Sequence, residues 1–196
     1  MRPRDESKIQ AIHAKTVELA AQEGFDRLSM HKLAKAVGIS PGTLYIYFRD
    51  REDLILQVSI AAQRQLFKAT LQDFDPEMPF ADGLRTQWRN RARYFLENPS
   101  QMQFLEMIRY SRFEPEVTRQ VSREFADSMR SFTRNAIERG ELVELPLEVY
   151  WSIAYAPLYQ LVKFHVNGKG MLGRPFTLTR STIDQSANII LRALAP

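Results

Sequence analysis

The segment from Arg27 to Arg49 carries the side chains of this sequence that could do chemistry on a nucleic acid. It reads RLSMHKLAKAVGISPGTLYIYFR, with basic, hydroxyl and aromatic groups and no acid. Basic side chains neutralise phosphates, and hydroxyls and exposed rings can contact phosphate oxygens and base edges. The segment therefore predicts a nucleic-acid contact, provided that the fold presents these groups on one surface.

The first half of the segment predicts a short helix that a glycine ends. Ser29 can cap this helix, and Leu33 and Ala36 stand at helical spacing and supply its apolar face. Gly38 follows where a left-handed closing residue is needed, and Ile39 can pack at the corner. These features indicate the first helix and the turn of a helix-turn-helix.

The second half predicts a helix with hydroxyl and aromatic groups on its outer face. Ser40 can cap it, and Pro41 suits its first turn because proline has no amide hydrogen to leave unsatisfied there. Leu44 and Phe48, four residues apart, form its buried edge. The outward positions are left to Gly42, Thr43, Tyr45, Ile46 and Tyr47. A short helix of this kind after a tight turn is suited to a DNA groove.

Charge is arranged around this segment in a way that favours a nucleic-acid partner. The whole chain has a formal charge of +4, which permits such a partner without requiring one. Four cations of the segment lie between two groups of acids, and His31 can add charge against DNA. The four cations are Arg27, Lys32, Lys35 and Arg49. The alternative is an ordinary solvated helix face.

Composition argues against several other classes of protein. A hydrophobic content of 44% in 196 residues is enough for a core, and the lack of cysteine excludes disulfides and thiolate chemistry. No stretch approaches the roughly 18 apolar residues of a transmembrane helix, and the N-terminus lacks the apolar run of a signal peptide. We therefore expect a cytoplasmic protein with no membrane partner. His13, His31 and His165 are scattered, so we expect no enzyme, no metal site and no cofactor.

Helical patterns continue through the rest of the chain and predict an all-α fold of about nine helices. Gly24 ends the first helix, and the acidic, proline-containing segment Asp73 to Pro79 is the clearest break. A single helix is predicted from Leu147 to Val166, in which Pro157 should produce a kink or free a carbonyl. No window shows the sustained alternation of a strand.

A long helix is predicted between the two parts of the chain. Asp50 can cap it, and Asp53 stands three residues later, as in a capping box. A helix from Arg51 to about Phe74 would be roughly 35 Å long. That length is enough for the helix to belong to two domains.

The first quarter of the chain contains a series of short motifs at characteristic spacing. They are Gly24-Phe25, Leu28-Ser29, Leu33-Ala34, Val37-Gly38-Ile39-Ser40, Gly42-Thr43-Leu44-Tyr45, Tyr47-Phe48 and Arg49-Asp50-Arg51-Glu52-Asp53-Leu54. These motifs resemble the tetracycline-repressor (TetR) family of bacterial transcriptional regulators. The sequence departs from the family at His13, where an apolar residue is usual, and at Ala20, where phenylalanine is common.

The resemblance implies a homodimer that binds a double-stranded DNA operator, with the second motif helix of each protomer in the major groove. The residues implied to lie at or near bases are Ser40, Pro41, Gly42 and Tyr45. Those implied to hold phosphates are Ser29, Thr43, Tyr47 and Arg51. His31 and Lys32 could reach either, and Arg49 adds charge. Arg2 and Arg4 could enter a minor groove or belong to a solubilising tail.

The resemblance also divides the chain into a DNA-binding domain, residues 1–50, and an effector-binding and dimerisation domain, residues 51–196. The dimer would form through the last two helices. A pocket lined by aromatic and methionine side chains would take a small apolar or aromatic effector. Its candidate residues are Trp88, Met102, Phe104, Met107, Met129, Trp151, Tyr155 and Tyr159, of which the last three are spaced by four and would share one helix face.

Together these features predict a ligand-responsive repressor that its effector releases from a palindromic operator. Two alternatives stay open at this point. The protein could be a constitutive DNA-binding regulator with a filled core instead of a pocket, or a helical small-molecule-binding bundle whose DNA-binding part is vestigial. The direction of control could also be the reverse, because some family members activate or bind DNA only with ligand.

Overall fold

The computed structural model describes residues 6 to 196, apart from the side chain of Ser122. These residues form ten α-helices and no strand, so the predicted all-α fold is confirmed. The helices are α1 (Glu6–Glu23), α2 (Met30–Val37), α3 (Pro41–Tyr47), α4 (Arg51–Thr70), α5 (Phe80–Glu97), α6 (Pro99–Arg109), α7 (Glu114–Glu138), α8 (Leu147–Ala154), α9 (Ala156–Val166) and α10 (Arg180–Ala193). Single 3-10 turns occur at Phe25–Arg27 and Met171–Gly173.

Two further predictions concern the N-terminal arginines and membrane-spanning helices. Arg2 and Arg4 lie outside the described residues. None of the described helices is both long enough and apolar enough to cross a bilayer.

The first compact unit comprises Met1–Gln65 and Asn98–Val121. In this unit α1 packs against α2 and α6, and its apolar face buries Ile12 and Ala20. Phe104 of α6 is fully buried, with its ring centre 5.7 Å from that of Phe25 in an edge-to-face arrangement. This packing supports the helix-turn-helix from behind.

The second compact unit comprises Leu66–Glu97 and Ser122–Pro196, and in it α5 packs against α9 and α10. Gly83 of α5 lies against α7, where an added Cβ atom would overlap the ring of Phe132. The ring of Phe132 also packs against Phe74 and Phe80, with ring centres 5.0 and 5.5 Å away. A glycine at position 83 therefore lets two helices approach closely over an aromatic core.

The structure contains two helices where one kinked helix was expected between Leu147 and Val166. Tyr155, with φ −128° and ψ −30°, separates α8 from α9, and Pro157 lies in the first turn of α9. A proline is readily accommodated there because its missing N–H would have no intrahelical partner. The indole N–H of Trp88 donates to the carbonyl of Ala154 at 2.7 Å. The helix is thus broken completely where a kink was expected, and Trp88 of α5 satisfies the Ala154 carbonyl beside the break.

The long helix α4 ends at Thr70, earlier than the predicted end at Phe74. The buried amide of Asn90, on α5, donates to the carbonyls of Thr70 and Gln72 at 3.1 and 2.7 Å. These bonds satisfy carbonyls that a longer helix would have used. α4 contributes residues to both compact units, and the functional boundary after residue 50 stays a prediction.

Candidate functional site

The turn between α2 and α3 has the geometry that its residue types predict. Ser29 caps α2 by accepting a hydrogen bond from the backbone N–H of Lys32 at 3.2 Å. Gly38 ends α2 with φ 77°, a left-handed conformation that favours glycine. Ser40 caps α3 by accepting from the N–H of Thr43, also at 3.2 Å. The predicted helix-turn-helix is therefore present.

The buried faces of these helices agree with the sequence in α3 and differ in α2. Leu44 and Phe48 are buried, as predicted. In α2 the buried residues are Met30, Leu33 and Ala34, whereas Ala36 is exposed, so its assignment to the apolar face is wrong. At about 100° per residue, Ala36 points about 110° away from the middle of the face that these three residues define.

The outer side of α3 presents the groups expected to meet DNA, and we call Gly42, Thr43, Tyr45, Ile46 and Tyr47 the α3 face. Tyr45 is 52% exposed and Ile46 is 69% exposed. Gly42 is also exposed, whereas Thr43 and Tyr47 are half-buried. Large apolar and aromatic groups on the outside of a short helix are costly in water and indicate a surface that binds a partner.

Folding brings acids to two of the four cations of the segment. The Lys32 ammonium pairs with the carboxylate of Glu23. The Arg49 guanidinium lies 3.3 Å from Oδ1 of Asp53. Both acids lie outside the segment, so the positive stripe is weaker than the sequence alone suggests. His31, the other α2 residue predicted to contact DNA, is exposed.

Arg51, implied by the resemblance to hold a phosphate, is hydrogen-bonded to the protein backbone. Its Nε atom donates to the carbonyl of Leu28 at 2.6 Å, and its Nη2 atom donates to the carbonyl of Phe25. These contacts join the first turn of α4 to the chain just before α2. A phosphate contact by Arg51 stays a prediction, which the remaining N–H groups of the guanidinium would have to make.

Two acids fix the junction between α3 and α4. Asp50 accepts the N–H of Asp53 at 2.8 Å, so the predicted cap of α4 is confirmed. The buried Asp53 carboxylate accepts from the N–H of Arg49 and from the amide of Gln57, both at 2.9 Å. Burial raises the pKa of Asp53, but these hydrogen bonds and the Arg49 charge outweigh burial and lower it below its ordinary value. An ionised Asp53 therefore anchors the exit of α3.

The predicted effector residues do not all belong to one compact unit. Met102, Phe104 and Met107 lie on α6 in the first unit, where the first two are buried and Met107 is half-buried. The remaining candidates lie in the second unit. They are Trp88 on α5, Met129 on α7, Trp151 on α8, Tyr155 at the break and Tyr159 on α9.

Four aromatic residues of the second unit come together around the break between α8 and α9, and we call Trp88, Trp151, Tyr155 and Tyr159 the aromatic cluster. The half-buried rings of Trp151 and Tyr159 stack, with centres 5.6 Å apart and planes 19° apart. Tyr155 is buried instead, and its hydroxyl donates to Oε1 of Gln87 at 2.9 Å. Because the helix breaks at Tyr155, the three residues do not share one continuous face.

The sequence prediction missed two buried polar residues of α5 beside the aromatic cluster. Arg91 and Gln87 are both buried, and the Nη1 atom of Arg91 donates to Oε1 of Gln87 at 2.6 Å. Both stand at helical spacing with Leu84, Trp88 and Phe95, which are also buried. That pattern was the available signal, because a polar residue on an otherwise apolar stripe must lie in the core.

Comparisons with known proteins agree with this architecture. A family described as bacterial regulatory proteins of the tetR family matches residues 12–58. An uncharacterized HTH-type transcriptional regulator of Haemophilus influenzae is 37% identical over 101 residues, which span 51% of this chain and 54% of that relative. The chain thus matches about half the length of this curated relative.

Solved structures extend the likeness over the whole chain. The crystal structure of a TetR family transcription regulator from Marinobacter aquaeolei has a TM-score of 0.87 and 30% sequence identity, covering 100% of this chain and 99% of that one. A TetR-family regulator of Haemophilus influenzae has a TM-score of 0.82 and 22% identity, with 100% of both chains covered. The second likeness is one of fold alone.

Proposed function

This chain belongs to the TetR family of bacterial transcription regulators, and we propose that it is a repressor that a small apolar or aromatic effector releases from a near-palindromic operator. The chain is a DNA-binding regulator and not an enzyme. Regulators of this family bind DNA operators and act as dimers. We place its action in the cytoplasm, where bacterial DNA is accessible. The α3 face, with Tyr45 and Ile46 exposed outside a buried Leu44, is the observation that carries the proposal.

Direct base contact in this proposal comes from the start and middle of α3. Its residues are Ser40, Pro41, Gly42 and Tyr45. Pro41 and Gly42 carry no side-chain hydrogen-bonding group, so DNA shape and the ring of Tyr45 would supply much of the specificity.

Backbone contact in this proposal comes from residues around the rim of the same surface. The phosphate ligands are Ser29, Thr43, Tyr47 and Arg51, with His31, Lys32 and Arg49 within the same surface. The Lys32 and Arg49 ion pairs are partly exposed, so phosphates can compete with their acids at small cost.

Helix α4 is the element that would carry an effector signal to the α3 face. Near its C-terminal end, Phe67 stacks on Phe125 of α7 with ring centres 3.9 Å apart and planes 5° apart. At its N-terminal end, Arg51 and Asp53 tie it to the helix-turn-helix. A shift of α7 on effector binding would therefore move α4. A coupling of about 1–3 kcal/mol would weaken operator binding roughly 5- to 150-fold.

The last helices supply the surface for the proposed dimer. On α10, Ile189 is 57% exposed, and Ile190 and Leu191 are half-buried. On α9, Leu161 and Phe164 are half-buried. Apolar groups on the outside of two helices that both pack against α5 fit the self-complementary interface of a two-fold dimer.

Selection of bound fragments from the genome that encodes the protein tests this function. We expect enrichment of a near-palindromic site whose half-sites lie about 34–36 Å apart, one helical turn of DNA. Light scattering should show two protomers for each site. Compounds that bind the protein should then release this site at fixed salt concentration. The proposal fails if no fragment is enriched above non-specific binding. A constitutive regulator would bind the site and show no thermal shift with any apolar compound.

A further inference from the structure

Arg91 is a buried cation that has no acidic partner among the described residues. Only 3% of the residue is exposed. Its described contacts are the carbonyl oxygen of the Gln87 side chain at 2.6 Å, the Tyr159 hydroxyl at 3.2 Å and the Tyr155 ring, whose centre lies 4.2 Å from the guanidinium carbon. The ring of Phe125 lies at 5.9 Å. Every one of these groups is neutral, and removing a charge from water is costly unless it is paired.

The neighbouring tyrosines do not supply the missing negative charge. Burial raises the pKa of Tyr155, and burial raises the pKa of Tyr150 well above its ordinary value of 10. Both hydroxyls therefore keep their protons at neutral pH. Within the described part of the chain, Arg91 is therefore stabilised by dipoles and by the faces of two aromatic rings.

Gln87 provides a second, independent sign of a missing partner. It is 0% exposed, and its Oε1 atom accepts hydrogen bonds from both Arg91 and Tyr155. Arg91 can only donate, so it fixes the orientation of the amide and directs Nε2 away from itself. That nitrogen is buried and has no hydrogen-bond partner within the described part of the chain. A buried donor in this state is rare in folded proteins.

The Arg91 cation and the unused N–H donor of Gln87 belong to two side chains that contact each other, and one anionic acceptor could satisfy both. A carboxylate has the required shape, because one oxygen can accept from the guanidinium and the other from the amide. The surrounding aromatic cluster suits an apolar body attached to that carboxylate. Phosphate, with its larger charge, would need more than one cation in such an apolar setting.

We propose that the effector is an organic acid with an apolar body, whose carboxylate pairs with Arg91 and accepts a hydrogen bond from Gln87. This inference deepens the proposed function, on which the role of the ligand as an effector rests. Tyr159 and Trp151, whose stacked rings are half-buried, are the members of the aromatic cluster past which the proposed acid would enter. The acid replaces the neutral contacts of Arg91 with a charged one.

The chain offers its own optical probe for this site. It has 2 tryptophans, and both of them, Trp88 and Trp151, belong to the aromatic cluster. The test measures tryptophan emission and melting temperature with hexanoate, decanoate, benzoate and phenylacetate, each compared with its corresponding alcohol. We expect at least one acid to change the emission and raise the melting temperature, while its alcohol does neither.

Two variants of α5 make the test specific. Arg91→Met should abolish the response to the acid and should raise the melting temperature of the ligand-free protein, because it removes an unpaired buried charge. Arg93→Met, two residues away at an exposed position, should keep the full response. Arg91→Lys keeps the charge without the planar fork and should bind the acid at least tenfold more weakly. It serves as the second variant if Arg91→Met does not fold.

The outcomes separate this inference from the proposed function. The inference is overturned if none of the acids binds, if the alcohols bind equally well, or if Arg91→Met keeps the response. If an acid binds through Arg91 but leaves operator affinity unchanged, the site stands and the effector-release step of the proposed function fails. If only neutral compounds release the operator, the proposed function stands and the inference fails.

Discussion

Arg51 donates from its Nε atom to the carbonyl oxygen of Leu28, with 2.6 Å between the two atoms. A second nitrogen of the same guanidinium donates to the carbonyl of Phe25. Both carbonyls belong to the chain just before α2, whereas Arg51 is the first residue of α4. One side chain thus joins the start of the helix-turn-helix to the helix that would carry an effector signal.

Arg51→Met is expected to lower the free energy of unfolding by about 1–3 kcal/mol, because it removes the guanidinium donor from two partly buried carbonyls, of which that of Phe25 keeps the Leu28 N–H. Urea unfolding measures this loss. Arg27→Met, at an exposed position, is the control and should change stability little. An unchanged urea midpoint for Arg51→Met would show that the bond does not hold these elements together. Arg51→Lys distinguishes the roles, since it keeps charge for a phosphate but lacks the planar fork with which Arg51 bonds both carbonyls.

We expect His13 to make the free energy of unfolding depend on pH. Its Nε2 atom is buried and has no hydrogen-bond partner among residues 6 to 196, its ring centre lies 6.1 Å from that of Phe48, and burial lowers its pKa from 6.5. The unfolded chain therefore binds a proton more readily than the folded one. The stability contributed by neutral His13 is complete above pH 6.5 and is lost as the pH falls below it.

His13→Leu should consequently raise the free energy of unfolding by about 0.5–2 kcal/mol at neutral pH, since it removes an unpaired polar atom. Its advantage over the wild type should widen between pH 7 and pH 5. Urea unfolding at several pH values within this range measures the difference. A constant difference would mean that His13 does not titrate in this window.

Substitution of Gly42 should change the stability of the protein and its affinity for the operator in opposite directions. A Cβ atom at this position would meet only Oγ of Ser40, at an ordinary 3.8 Å. Gly42→Ala should therefore stabilise the protein by about 0.5–1 kcal/mol through its better helix propensity. The same methyl group should weaken operator binding, because α3 could no longer approach the DNA as closely. Thermal unfolding and fluorescence anisotropy measure the two effects, and unchanged or tighter DNA binding would refute the close approach.

Gly83 should respond in the opposite way to the same substitution. Gly83→Ala places a methyl group on the ring of Phe132 and should destabilise the protein by about 1–3 kcal/mol. Phe132→Leu in the same chain should restore part of that loss by making room for the methyl group. A double-mutant cycle measures the coupling. Strictly additive effects would indicate that the two helices can separate without cost.

Local features of the fold could be predicted from the sequence, because single residue types determine them. Ser29, Ser40 and Asp50 cap the helices as expected, and Gly38 adopts its left-handed conformation. The ends of α4 and α8 could not be predicted. They depend on Asn90 and on other α5 side chains that are distant in sequence.

The same distinction between local and distant determinants applies to the two candidate sites, the α3 face and the surroundings of Arg91. The α3 face follows from the spacing of its own residues, so sequence patterns find it. The pair of Gln87 and Arg91 was missed because charged and amide side chains are ordinarily exposed. Its burial follows from an α5 stripe shared with Trp88. The ion pair of Lys32 with Glu23 also requires the folded arrangement.

The central claim is that α3 reads an operator, with Tyr45 at the bases and Tyr47 at the phosphates. The two side chains differ in exposure, since Tyr45 is exposed and Tyr47 is half-buried. Loss of a base contact should cost about 1–3 kcal/mol on the operator and relax its preference, whereas loss of the neutral Tyr47 hydroxyl from a phosphate should weaken all sequences alike.

The most direct test is the affinity of wild type, Tyr45→Ala and Tyr47→Ala for the selected operator and for a scrambled duplex, at one salt concentration. Circular dichroism should first show that both variants are folded. We predict that Tyr45→Ala lowers the ratio of operator to scrambled affinity about 5- to 150-fold, while Tyr47→Ala weakens both duplexes and preserves the ratio. If both variants bind both duplexes as the wild type does, α3 is not the helix that contacts DNA.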